Sequence, residues 1–520
     1  MNSSGLQKSI NQNSMALVLV PLIAATLLLM FGHLATPSYP SDSYFYLSKA
    51  RSLVAGKGLT VNWNDGHDAK YFPGYSILVG LVDLIIPGDA QPWFALHVLL
   101  LWAGVLMSYH IFRRIEEDSL IAAAAAGLFS LHFVVIKWSV VPSAEPLALV
   151  FALLAVILFI EYLDAVSSTE TVGASLRQKR VMLYFFGACL AAGCGFATRF
   201  EARYLWLVAL IYIIFFKQRN RLPRARYIIA GLFIFMLPFL IWIIWNKSPN
   251  GFLSLRYVPE FLGNVSFEAF FNNISKYIVM LYLTKTVVPQ NLFFNNIIFL
   301  TDIAAVVSLF WCLRGFEGKR YTFSAIIVFG YLILHSFWYY AYERFVFLIT
   351  PLLCLLLVRF FALFIKGMGV EKHVAGTAKM IVFVALTILL STSLAHYSWL
   401  HIKDHAKHLV VPGMDYKEVA AKAELLAGES GAILSQWGSP LAYFIRKPVF
   451  IDTEDGYYYK QMFKWNETAQ FIRENNVRVF IIRPPIEEWM YTHEIPYQSQ
   501  TQFRIAEQKE YYVILIADLK

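Results

Sequence analysis

Runs of about twenty apolar residues, separated by short polar stretches, recur along most of this chain, and that length matches the hydrocarbon core of a bilayer. Eleven such runs predict membrane helices near residues 15 to 34, 92 to 112, 120 to 138, 146 to 163, 181 to 198, 202 to 216, 227 to 246, 292 to 312, 322 to 338, 345 to 365 and 379 to 397. Beyond them the period changes. Tyr416, Val419, Ala420 and Ala423 repeat at helical spacing, and residues 432 to 436, 449 to 452, 477 to 482 and 512 to 517 read as strands. The pattern therefore predicts a polytopic α-helical membrane domain over 1–398 and a small C-terminal α/β domain over 399–520.

Charge fixes the orientation. With a cytoplasmic N-terminus, Arg113 and Arg114, the stretch 177 to 180, and the loops 217 to 226, 314 to 320 and 366 to 379 all fall on the inner side, as the positive-inside rule demands. The first run follows Lys8 and shows no clear small-residue cleavage site, so it reads as an uncleaved span. Residues 71 to 86 are apolar but short and carry Pro73, Gly74 and Asp83. Counting them as a span would invert every later loop, so they read as an interfacial or re-entrant helix. The expectation is a multi-pass plasma (inner) membrane protein with an outer first loop over 36–91 and an extracytoplasmic C-terminal domain.

Composition agrees. Of 520 residues, 58% are hydrophobic and 15% charged, too little polar material to wrap one soluble core. The net charge of +9 is spread in short clusters between apolar runs, not in one stripe, so nucleic acid is not an expected partner. Four cysteines lie inside apolar runs without a CxxC pair, which gives no zinc or redox signal. No tandem repeat or heptad array interrupts the picture.

The candidate chemistry sits at the outer ends of the spans. Asp42 opens a helix in the first loop, where capping alone would explain it. Glu145 precedes Pro146 in the first turn of a helix; Thr198, Arg199 and Glu201 share a short turn; Glu343 and Arg344 open the tenth span. Ionisable groups near hydrocarbon cost a few kcal/mol each unless they pair or face a cavity, so their recurrence at one membrane face points to a shared polar pocket, with interfacial snorkelling as the plainer reading. His67, Asp68 and Lys70 cluster farther along the first loop, where a polar turn around Gly66 also accounts for them. His401, His405 and His408 fall on one helical face, a spacing that would suit a metal. Asn264, Asn273 and Asn466 stand in glycosylation sequons, which arise easily by chance.

The order of a first-loop aspartate, a Glu145-Pro146 turn, Thr198-Arg199-x-Glu201 and a late Glu343-Arg344-Phe345 resembles the GT-C glycosyltransferases, in particular the bacterial protein-mannosyltransferase-like and aminoarabinose-transferase-like branch. The resemblance spans most of residues 15 to 365. It implies that Asp42 is the catalytic carboxylate and that Glu145 takes the second acidic position in the catalytic pair, where it would orient the acceptor or Asp42. Ser43 stands where relatives carry a second acid, and Phe200 and Phe345 replace the usual proline and tyrosine. The implied activity is transfer of a sugar from a polyprenyl-phosphate donor to a hydroxyl acceptor on a protein, lipid or polysaccharide, with inversion. Asp42, ionised at neutral pH, would take the acceptor proton, and Arg199, Arg344 and Lys70 would hold the lipid phosphate, with Glu201, Glu343, His67 and Asp68 in support. No cofactor is called for; a divalent metal stays open. A transporter, or a relative that only binds lipid-linked glycan, are the alternatives. A transporter's coupling charges should lie near the bilayer midplane, whereas these acids lie at span ends.

Overall fold

The computed structural model describes residues 3–61, 72–167, 174–199, 225–245, 266–280, 303–337, 343–367, 414–451, 465–491 and 503–517, apart from a few positions inside these ranges, together with Ala202, Ala395 and Trp399. In chain order its main helices are α1 (Ser3–Ala35), α2 (Ser41–Val54), α3 (Gly74–Asp83), α4 (Gln91–Ile115), α5 (Ser119–Ser130), α6 (Phe133–Ser139), α7 (Glu145–Ser167), α8 (Ala174–Phe196), α9 (Ala225–Trp245), α10 (Phe267–Met280), α11 (Lys319–Ser336), α12 (Thr350–Gly367), α13 (Tyr416–Ala427), α14 (Gly438–Phe444) and α15 (Trp465–Glu474). A 3-10 segment, Glu343–Ile349, leads into α12. Two compact units emerge: Met1–Leu34 with Phe94–Lys403, and Ala35–Trp93 with Asp404–Lys520. The first-loop segment thus groups with the C-terminal residues, whereas a division by sequence order grouped it with the spans.

The first unit is helical. Among the described residues, five helices are long and apolar enough to cross a membrane, Met15–Ala35, Gln91–Ile115, Glu145–Val166, Gln178–Phe196 and Arg344–Phe364; α5 and α6, bent by 45°, make a sixth if they form one span. His132 causes that break by capping α6, its Nδ1 accepting from the Val134 amide. Of the other predicted runs, 227 to 246 and 322 to 338 contain the shorter apolar helices Arg226–Trp242 and Ser324–Ser336, while 202 to 216 (Ala202 aside), 379 to 397 (Ala395 aside) and much of 292 to 312 lie outside the described residues. Lipid supplies no hydrophobic drive between helices, so small residues that let backbones approach do the packing. Ala122 to Ala126 of α5 are fully buried, and a Cβ on Gly127 would collide with the Leu17 carbonyl oxygen of α1. Between α8 and α9, a Cβ on Gly193 would collide with the Phe235 carbonyl oxygen.

At the end of these helices that carries Arg113 and Arg114, a polar knot ties five of them. Glu116 accepts from the Tyr321 hydroxyl and, at 3.0 Å, from Arg359 Nη1, while its other oxygen accepts from the Asp118 amide at 3.0 Å. Asp118 caps α5, and Arg114 bridges Glu161 at 2.5 Å and Asp164 at 3.0 Å on α7.

The second unit contains a five-stranded sheet, β1 (Ala432–Ser435), β2 (Val449–Ile451), β3 (Val477–Ile482), β4 (Phe503–Gln508) and β5 (Val513–Ala517), in the order β2-β1-β3-β5-β4. β1 runs parallel to β2 and β3, as βαβ connections require, and β3, β5 and β4 pair antiparallel. The central strand is apolar on both faces, with Phe480 and Ile482 in a core that also holds Leu434, Ile472, Val513 and Leu515. Asp415 caps α13 by accepting from the Lys417 and Glu418 amides, and Gly428, at φ 66°, ends it. The predicted strands are observed to within a residue or so; β4, an edge strand bearing Arg504 and Glu507, is additional. In the first-loop part, α2 packs on α3 so closely that a Cβ on Gly80 would meet the Ala50 carbonyl oxygen at 3.3 Å. α2 also packs on α14.

Candidate active site

In the first unit, one end of the helices gathers charge. Glu145 is the first residue of α7, where a carboxylate suits the helix dipole, and it is 2% exposed. α8 runs back against α7 and ends at Phe196; the Thr198 hydroxyl donates to the Cys194 carbonyl at 2.8 Å and the Arg199 amide to the Gly195 carbonyl at 2.8 Å, which turns Arg199 toward α7. Its Nη1 donates to Glu145 Oε1 at 2.5 Å. Thr198, Arg199 and Glu145 are all buried. An ion pair this enclosed holds only if each partner compensates the other's lost hydration.

The 3-10 segment that carries Arg344 packs against α6 and α7. The Arg344 guanidinium lies 5.7 Å from the centre of the Trp138 ring, and Lys137 Nζ lies 5.9 Å from the same ring, so two cations attend one indole. Buried His97, on α4, has its Nδ1 2.8 Å from the Ser139 carbonyl oxygen. A carbonyl only accepts, so Nδ1 carries the proton there. Sequence reading missed Lys137 and His97. The signal was present: a lysine inside an apolar run is expensive and needs a reason.

In the second unit, Asp42 lies in the first turn of α2, half-buried, and not at the cap position. Two turns along the same face sits Lys49, 1% exposed, a buried ammonium that sequence reading passed over. Tyr44 packs against Tyr443 and Phe444, and its hydroxyl accepts from the Tyr39 amide at 3.3 Å. Burial and neighbouring phenols hold its pKa well above the usual tyrosine value, so it stays a neutral hydroxyl.

The structure therefore brings Glu145 and Arg199 into direct contact and sets Arg344 against the neighbouring helix. Lys70, His67, Asp68 and Glu201 lie outside the described residues, as do His401, His405 and His408 and the side chain of Glu343. Among the described residues no three His, Cys, Asp or Glu side chains come together as a metal site. The sequon residue Asn273 is buried and donates to the Ser336 carbonyl at 3.3 Å, an internal structural role.

No protein-family model matches this chain, and no curated protein matches its sequence. Solved structures do. ArnT from Cupriavidus metallidurans bound to undecaprenyl phosphate matches with a TM-score of 0.63 at 12% identity, covering 96% of this chain and 97% of that one. Archaeal oligosaccharyltransferase AglB from Archaeoglobus fulgidus, in complex with an inhibitory peptide and a dolichol-phosphate, matches with a TM-score of 0.60 at 10% identity, over 92% of this chain and 70% of that one. The Archaeoglobus fulgidus oligosaccharyltransferase tethered to an acceptor peptide containing the NVT sequon gives 0.56 at 11% identity, with 92% and 70% covered. At these identities the likeness is one of fold.

Proposed function

Since the chain has the GT-C fold, we propose that it is a membrane glycosyltransferase that moves a sugar from a polyprenyl-phosphate donor to a hydroxyl acceptor. The observation that carries this reading is the buried Glu145–Arg199 pair, with Arg344 on a segment packed against α6 and α7, in helices that share their fold with ArnT bound to undecaprenyl phosphate and AglB in complex with a dolichol-phosphate. A polyprenyl phosphate is already a good leaving group. The protein must orient the acceptor, remove its proton during attack and stabilise the departing phosphate.

In this mechanism the acceptor oxygen attacks the anomeric carbon from the face opposite the phosphate, and the carbon–oxygen bond to phosphate breaks with inversion. The bonding pair leaves with the lipid phosphate, and the acceptor proton passes to an Asp42 carboxylate oxygen. Arg199 and Arg344 take the phosphate charge; each guanidinium offers a planar fork of donors that matches phosphate oxygens. Glu145 is a positioning residue in this scheme, because its carboxylate fixes the Arg199 guanidinium. Lys137 joins the phosphate-binding group through its place beside Trp138.

The test is to reconstitute the purified protein with a panel of polyprenyl-phosphate sugars and membrane extract and to follow product by mass spectrometry. A transferase gives a glycosylated product and free polyprenyl phosphate. Asp42→Asn should fold normally and lose transfer by about 10²–10⁴-fold. Wild-type turnover in that variant removes the general base from the scheme, and solute uptake into proteoliposomes without sugar transfer replaces the whole reading.

A further inference from the structure

In the second unit, opposite faces of α2 carry different residues. At about 100° of rotation per residue, Tyr44 and Arg51 stand two turns apart on one face, while Asp42 and Lys49 share a face about 160° away. Both residues of the first face grip Tyr443 of α14. The Tyr44 and Tyr443 ring centres lie 5.4 Å apart. Arg51 Nη2 donates to the Tyr443 hydroxyl at 2.6 Å and Nη1 to the Tyr443 carbonyl at 3.2 Å, while the guanidinium stacks 4.1 Å from the Tyr443 ring centre. Both tyrosines are buried. We propose that Tyr443 is a positioning residue for sugar transfer: it clamps the roll of α2 and so fixes the place of the Asp42 carboxylate. The positioning role rests on the reading of Asp42 as the general base; the clamp itself does not.

A helix supported along one line can roll about it. For α2, α3 supplies one such line, since a Cβ on Gly80 would meet the Ala50 carbonyl oxygen and the Leu53 side chain, each at 3.3 Å. Ala50 and Leu53 lie well around the helix from Tyr44 and Arg51, so α14 supplies a second support on another side and stops the roll. The consequence for chemistry is geometric. Side chains reach about 5–6 Å from a helix axis, so a roll of about 20° carries a carboxylate about 2 Å. A general base acts within about 2.6–3.2 Å of the atom whose proton it takes. A displacement of that size therefore disables the base while leaving the helix folded.

Tyr443 suits this task because two of its oxygens, the hydroxyl and the carbonyl, accept from two arms of one guanidinium. A planar fork with both arms engaged cannot swivel, whereas an ammonium in its place could. The next residue, Phe444, offers no equivalent. It meets Tyr44 edge to face at 6.2 Å and lies 5.7 Å from Lys417 Nζ, ring contacts that set a distance without fixing a rotation.

The reconstituted full chain, assayed with the panel of polyprenyl-phosphate sugars and membrane extract, tests the role through Tyr443→Phe, which keeps the ring and removes the hydroxyl. Its kcat should fall about tenfold while the donor KM stays within about twofold and the unfolding midpoint in detergent stays near that of wild type. Arg51→Gln should do the same, and Arg51→Lys should not restore the rate. In the Asp42→Asn background Tyr443→Phe should cost nothing further, because the place of a base no longer matters once the base is gone. An equal loss in both backgrounds marks a general structural effect and overturns the proposal, as does wild-type kcat in Tyr443→Phe. Amide hydrogen exchange read by mass spectrometry follows the clamp without any substrate: α2 should exchange at least about tenfold faster in Tyr443→Phe while β1 and β3 keep their rates, and unchanged protection of α2 overturns the clamp. Wild-type turnover in Asp42→Asn instead overturns the general base and the positioning role with it, and the exchange measurement then judges the clamp by itself.

Discussion

Glu145 and Arg199 form the most enclosed ion pair described, and their energetics follow from that enclosure. Removing one partner leaves the other charged and poorly hydrated, so Arg199→Ala or Glu145→Ala should each lower stability by about 3–5 kcal/mol, measured by denaturant unfolding in detergent. The double variant should lose much less than the sum, because the stranded charge disappears with its partner. Arg344 is different: it stacks on Trp138 at an exposed-to-buried boundary, so Arg344→Ala should leave unfolding nearly unchanged while raising the donor KM. Residues such as Glu145 and Arg199 were legible in the sequence because a carboxylate and a guanidinium at the ends of apolar runs require an explanation. Lys137 carried the same signal inside its apolar run and was passed over, whereas Lys49 was not legible, because a lone lysine with a long apolar stem in a polar segment reads as one that snorkels to water.

Elements are held by close approach as much as by side-chain burial. Gly193 lets α8 meet the backbone of α9, and Gly193→Val should push the two helices apart and cost about 1–3 kcal/mol, seen as earlier unfolding and loss of monodisperse protein. In the other unit, Asp415→Ala removes an acceptor from two amides of α13 and should cost about 0.5–2 kcal/mol. The strands and α13 were readable because their apolar periods are clean and their ends carry caps. β4 was not, since its exposed positions, Arg504 and Glu507 among them, blur the alternation, as edge strands commonly do to avoid pairing with other chains. The break between α5 and α6 escaped as well, because His132 inside an apolar run gives no turn signal of the glycine or proline kind.

At the scale of the molecule, the first-loop helix α2 and the C-terminal residues belong to one compact unit, and nothing local in the sequence announces it. Arg51 and Tyr443 are 392 positions apart, and each is locally unremarkable. A chain ending at residue 403 should therefore expose α2: trypsin should cut after Lys49, buried in the intact protein, much faster, as read by mass spectrometry of early fragments. The same separation bears on how the protein is made. At about 5–20 residues per second, roughly 20–80 s pass between synthesis of Arg51 and of Tyr443, during which the helix bearing Asp42 has α3 to pack on but not α14. The segment that carries Asp42 therefore completes its packing only after the residues around Tyr443 have been made, long after its own synthesis.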